Sequence, residues 1–128
     1  MKVDPIIAVK DVEKSLEWYQ SIFECKSMHG GDEFDVLISQ NEDVLLCLHK
    51  WGEHDHPTMK SAINICGNGL ILYFRTENLD QVRKNLKQMN YDIEREIQLN
   101  HNSGRMEFSL RDPDGYYITI SEFHKYEG

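Results

Sequence analysis

The sequence predicts an α+β fold in which one βαβββ unit is used twice, and three observations carry that prediction. Arg105 to Glu122 reads as a hairpin: Met106, Phe108 and Leu110 alternate with Arg105, Glu107, Ser109 and Arg111, and Ile118 and Ile120 alternate with Tyr117, Thr119 and Ser121. Asp112-Pro113-Asp114-Gly115 between them is a turn signature, with Pro113 presetting φ, Asp112 bonding the backbone further on and Gly115 tolerating positive φ. Two amphipathic helices begin at Asp11-Val12 and at Asn78-Leu79, 67 residues later, and Ile38–Leu48 repeats as Leu110–Ile120 with a shift of 72.

In chain order, Pro5 to Val9 is an apolar run of strand length. Asp11 then caps a helix over 11–24, in which Val12, Leu16, Tyr19 and Phe23 recur at helical spacing. Cys25 to Met28, Phe34 to Ser39 and Val44 to Lys50 are the next strands, separated by Gly30-Gly31 and by Gln40-Asn41-Glu42-Asp43. Trp51 to Gly69 keeps no period and holds Gly52, Pro57, Gly67 and Gly69, so it reads as a connector. Leu70, Leu72 and Phe74 alternate with Ile71, Tyr73 and Arg75, a strand. Asn78 is positioned to cap a helix over 78–90 carrying Leu79, Val82, Leu86 and Met89. Asp92 to Ile97 is a weak strand, and a polar loop from Asn100 to Gly104 leads into the hairpin. One domain over 1–128 is expected, with a first module over about 1–50, a linker over about 51–69 and a second module over about 70–124.

Composition narrows the function. Fourteen basic residues against twenty-two acidic give a net charge of −8 with no basic run, which excludes nucleic acid as an expected partner and favours neutral or cationic small molecules. No apolar run approaches the ~20 residues of a membrane helix, and the start lacks a signal core, so no membrane partner and a cytoplasmic location are expected. Cys25, Cys47 and Cys66 are an odd set without CxxC spacing, which argues for buried free thiols over a disulfide framework or zinc ribbon. Gly-rich phosphate loops and nucleophile elbows are absent from the sequence.

The hairpin ending Arg111-Asp112-Pro113-Asp114-Gly115-Tyr116, followed by Ser121-Glu122 and taken with the repeat, resembles the closing segment of the glyoxalase/bleomycin-resistance/dioxygenase superfamily, the vicinal oxygen chelate proteins. The resemblance implies two βαβββ modules whose antiparallel and mixed strands form a cup, usually completed as a homodimer. It also implies, in metal-using members, ligands at four positions that fall here on Asp4, Cys47, Ile71 and Thr119. That set is poor for a divalent ion, because Ile71 has no donor and Thr119 is a weak neutral one. The expectation is therefore no cofactor, as in metal-free bleomycin-resistance-like members, with a divalent metal ion as the alternative.

Alternation sends the greasier side of each strand to the helices: Leu46 and Leu48; Leu70, Leu72 and Phe74; Met106, Phe108 and Leu110; Ile118 and Ile120. The other side, including Leu37, Cys47, His49, Trp51, Tyr73, Arg75, Glu107 and Tyr117, would face the concavity. His49, Trp51, Tyr73, Arg75, Glu107 and Tyr117 are the candidate ligand-binding residues, since aromatic faces mixed with a few charges suit a planar or cationic guest. A merely solvated polar face is the plain alternative. Sequestration of a small organic compound is the expected function. The competing expectation is an enzyme: a metal-dependent lyase, isomerase or dioxygenase, or an acid/base catalyst using His49 with Glu107. His49, His54 and His56, with Asp55, form a second place where imidazoles could converge on a metal, although His-x-His in a loop is commonly only a polar run.

Overall fold

The computed structural model describes residues 2–54, 56–61 and 67–124. The chain divides into two compact units, Met1–Ile65 and Cys66–Gly128. The first holds β1 (Ile6–Val9), α1 (Val12–Ile22), β2 (Lys26–Ser27), β3 (Phe34–Ile38) and β4 (Val44–Lys50). The second holds β5 (Leu72–Thr76), α2 (Leu79–Gln88), β6 (Arg95–Asn100), β7 (Arg105–Arg111) and β8 (Tyr117–Glu122). Both units are βαβββ, and their four-stranded sheets have matching orders, β1-β4-β3-β2 and β5-β8-β7-β6.

The internal repeat is present in the strand register. β1 runs parallel to β4 with Ile7 opposite Leu48, and β5 runs parallel to β8 with Phe74 opposite Ile120. These pairs are related by the same two shifts, 67 and 72, that the sequence patterns show. Leu46 and Leu48 in one unit, and Ile118 and Ile120 in the other, are completely buried. Period-2 alternation thus locates the buried face of both central strands.

Asp11 caps α1 as expected, its carboxylate accepting a hydrogen bond from the Lys14 backbone N–H at 3.0 Å. The buried stripe of α1 is Val12, Ser15, Trp18, Tyr19 and Ile22. It is rotated from the expected Val12, Leu16, Tyr19 and Phe23, because the helix stops at Ile22, which leaves Phe23 as the extended residue after it and Leu16 half-buried. α1 lies on β3 and β4, and α2 on β8. Asn78 stands at the N-cap of α2, but its side chain makes no capping bond, and its own N–H donates instead to Thr76 Oγ1 at 3.0 Å.

Four further expectations are corrected. Leu37 lies opposite Leu46 and is 1% exposed, so it joins the helix-side core and not the other face. Leu70 and Met106, expected in the core, are 39% and 36% exposed, since Leu70 precedes β5 and Met106 sits near the start of β7. Phe74 is only half-buried. The weak strand begins at Arg95, not Asp92, and runs through Asn100 into what the sequence presents as loop. The turn after β7 forms as read: Asp112 accepts from the N–H groups of Asp114 and Tyr116, both at 2.9 Å, and Gly115 adopts φ +93°. Cys47 is a buried free thiol and Cys25 a half-buried one, while Cys66 lies outside the described residues.

Candidate functional site

In the first unit, the sheet face away from α1 carries Ile6 and Ala8 of β1, Cys47 and His49 of β4, and Phe34 of β3, as the registers Ile6 to Cys47, Ala8 to His49 and Phe34 to His49 require. Beside it lies a cavity of about 680 Å³, lined by Ile6, Phe34, His49, Pro57 and Met59 among others. The turn 56–59 closes one side, held by Met59 N–H on the His56 carbonyl at 3.1 Å and by Gly52 N–H on the Met59 carbonyl at 2.6 Å. Part of the stretch that reads as a connector therefore builds a wall.

His49 is 4% exposed, and its Nδ1 lies 2.8 Å from the Lys50 carbonyl oxygen. A carbonyl only accepts, so Nδ1 is the nitrogen that carries a proton, and Nε2 is the lone-pair nitrogen of that tautomer. That Nε2 is buried and, among the described residues, has no hydrogen-bond partner. An unmatched polar atom of this kind is costly unless something else satisfies it. Around His49 stand three more rings, with centres at 4.9 Å for His56, 5.3 Å for His54 and 6.2 Å for Phe34.

The opposite rim is set by Asp35, which the sequence reading passes over as part of an apolar strand. Its carboxylate is completely buried and accepts from Ser27 Oγ, the backbone N–H groups of His29 and Gly30, and its own neighbour Val36. Burial raises its pKa, but the hydrogen bonds from Gly30, Ser27, Val36 and His29 outweigh that and hold it below the ordinary carboxylate value. These bonds fix the turn that brings His29 and Gly31 to the cavity. A lone Asp in a strand next to Gly-Gly is the signal that could have found it.

In the second unit, Tyr73, Glu107 and Tyr117 do converge, lining a smaller cavity of about 230 Å³ together with Ile71 and Thr119. Glu107 accepts from the Asn100 side-chain amide, and Ser109 Oγ lies 2.9 Å from Thr119 Oγ1. Arg111 stands 5.0 Å from the centre of the Tyr117 ring. Arg75 turns elsewhere, donating to the His124 carbonyl and lying 5.4 Å from the centre of the Phe123 ring. Trp51 falls just beyond the end of β4, in a turn whose N–H reaches the Val9 carbonyl at 3.2 Å, and it lines neither of these cavities. The six candidate residues thus distribute as one in the first cavity, three in the second and two outside both.

The family model of the glyoxalase/bleomycin resistance protein/dioxygenase superfamily matches residues 2–120. The chain belongs to this superfamily. Several solved structures share the superfamily chain's fold at low identity. A protein of unknown function from Agrobacterium tumefaciens is 19% identical with a TM-score of 0.78, covering 97% of this chain and 94% of its own. A bleomycin resistance determinant encoded on transposon Tn5 is 14% identical with a TM-score of 0.69, covering 98% and 99%. A lactoylglutathione lyase from Agrobacterium tumefaciens is 14% identical with a TM-score of 0.67, covering 95% and 92%. No curated protein matches at the sequence level.

The four positions that carry ligands in metal-using superfamily members do not fit an ion in this chain. Ile71 has no donor atom, and the Thr119 hydroxyl is engaged with Ser109. Burial, with the charge of Asp4, pushes the Cys47 thiol up, away from the thiolate that metals bind.

Proposed function

We propose that this superfamily chain is a small-molecule-binding protein that sequesters a planar or cationic organic compound, without a metal at the four family positions. One observation carries the reading: the cavity beside β4, of about 680 Å³ and lined largely by apolar and aromatic groups, ends on the unpartnered Nε2 of buried His49. A volume in the range of small-molecule sites, with a few polar groups among hydrophobic ones, is what such guests require. Phe34 supplies a ring face, Asp32 and Glu33 on the same rim favour a cationic group, and His49 accepts from a donor on the guest. The likeness of fold to a bleomycin resistance determinant supports sequestration as the role. Tyr73, Glu107 and Tyr117 form a second, smaller recognition surface in this reading, and the protein works as a homodimer in the cytoplasm.

A thermal-shift screen of planar and cationic compounds tests it. A guest at a hundredfold excess over its dissociation constant raises stability by about 2.7 kcal/mol. Phe34→Ala abolishes most of that shift while Trp51→Ala leaves it. A screen in which no planar or cationic compound shifts the melting temperature, or in which the Phe34 variant responds like the parent, rejects the reading.

A further inference from the structure

We propose that His49, His54 and His56 form a binding site for a divalent transition-metal ion of the zinc class, separate from the four family positions, with Glu33 orienting His54 from behind. The ring centres stand 5.3 Å apart for His49 and His54, 4.9 Å for His49 and His56, and 6.4 Å for His54 and His56. Three imidazoles bound to one tetrahedral ion at ~2.0–2.1 Å have their centres about 5 Å apart, so the rings already stand at nearly the required spacing.

In two of the three rings one nitrogen is already engaged by an oxygen. His49 offers a buried Nε2 that has no partner among the described residues, while its Nδ1 is tied to the Lys50 carbonyl. His54 Nε2 lies 3.1 Å from Glu33 Oε2, which leaves Nδ1 for an ion. A ring anchored through one nitrogen by a carbonyl or carboxylate, with the other left open, is the arrangement that fixes the tautomer of metal-binding histidines. His54 also adopts φ +60°, a left-handed backbone conformation uncommon outside glycine.

Among the described residues no three His, Cys, Asp or Glu side chains are placed, as they stand, to hold a metal ion. An ion would have to draw the rings inward, with His56 turning while Glu33 keeps hold of His54 Nε2, and both histidines are exposed. Imidazole donors suit zinc, nickel and copper, and they disfavour magnesium and calcium. With the ion bound, the His49 lone pair no longer accepts from a guest, and a lone-pair donor of the guest would take the fourth position on the ion instead.

The test is a zinc titration of the chelator-stripped full chain, followed by calorimetry, with cobalt substituted for its visible spectrum. One zinc per chain and a tetrahedral cobalt spectrum are expected. His54→Gln and His56→Gln, both at exposed positions, weaken binding by about 100-fold or more, and Glu33→Gln by about 10-fold. His49→Gln does the same where its melting curve shows it folded, and the exposed pair carries the test where it is not. His101→Gln, in the turn after β6, changes nothing. No zinc uptake, uptake unaffected by both His54→Gln and His56→Gln, or loss on His101→Gln overturns the proposal. Because the probe is the ion alone, a chain that takes no organic guest can still pass, and one that binds a guest can still fail.

Discussion

Asp35 shows how a single side chain can organise the rim of a cavity that it does not itself line. Its buried carboxylate gathers donors from Ser27, His29, Gly30 and Val36, so removing it strands several backbone N–H groups at once. Asp35→Ala should cost about 3 kcal/mol and loosen the His29 turn, as measured by denaturant unfolding. The folded pKa is depressed, so the stabilisation is fully present above the unfolded value near 4 and is lost as pH falls through the folded value. Acid unfolding of Asp35→Asn should accordingly show a shallower pH dependence below about pH 4 than the parent. Tyr91 offers an independent check. Burial first, then the charges of Asp112, Asp114 and Asp92, push its phenol up to about 12, while its hydroxyl donates to the Arg111 carbonyl at 2.7 Å. Ultraviolet titration should find one tyrosine ionising near that value, and Tyr91→Phe should remove that step.

At the scale of elements, each helix is tied down by different chemistry. α1 has the Asp11 cap, and Asp11→Ala should cost about 1 kcal/mol in thermal or denaturant unfolding. α2 lacks a side-chain cap but is joined to β6 by a two-pronged pair, Arg83 Nε to Glu96 Oε1 and Arg83 Nη2 to Glu96 Oε2, both at 2.7 Å. The Arg83 hydrogen bonds pull the Glu96 carboxyl down to about 2. Glu96 is 63% exposed, so solvent screening limits the pair to about 1 kcal/mol or less. Glu96→Gln should lose that increment at neutral pH and converge on the parent only as pH falls through about 2, where the parent's carboxylate takes up its proton. The sheets respond differently, because Ile118 is completely buried in β8 beside Leu72 and Leu110. Ile118→Asp places an unpaired carboxylate there and should abolish cooperative unfolding by circular dichroism.

For the whole molecule, the net charge is −8, and among the described residues no helix is long and apolar enough to cross a membrane. The cavity beside β4 is apolar and histidine-lined, and the one that holds Tyr73, Glu107 and Tyr117 is smaller and more polar. The two units share strand order yet differ in what the equivalent positions hold: His49 of β4 corresponds to Ser121 of β8, and Ile6 of β1 to Tyr73 of β5. The repeated unit supplies the frame, and the side chains at equivalent positions on it differ. Sedimentation at micromolar concentration should give a species of twice the chain mass if the proposed homodimer forms, and a monomer would count against it.

The sequence by itself determined the order of elements, the repeat, the Asp112 turn and the buried faces of β4 and β8, because period and turn chemistry are local properties. It also brought Tyr73, Glu107 and Tyr117 onto one surface, since they lie on neighbouring strands in register. What only the tertiary structure decided is where irregular backbone goes. His54 and His56 come to His49 through a turn with no period, His29 arrives on hydrogen bonds to a carboxylate six residues away, and Trp51 leaves the strand face because β4 ends one residue earlier. Loop paths are set by which buried donors and acceptors find partners, and that matching becomes visible only when distant residues share space.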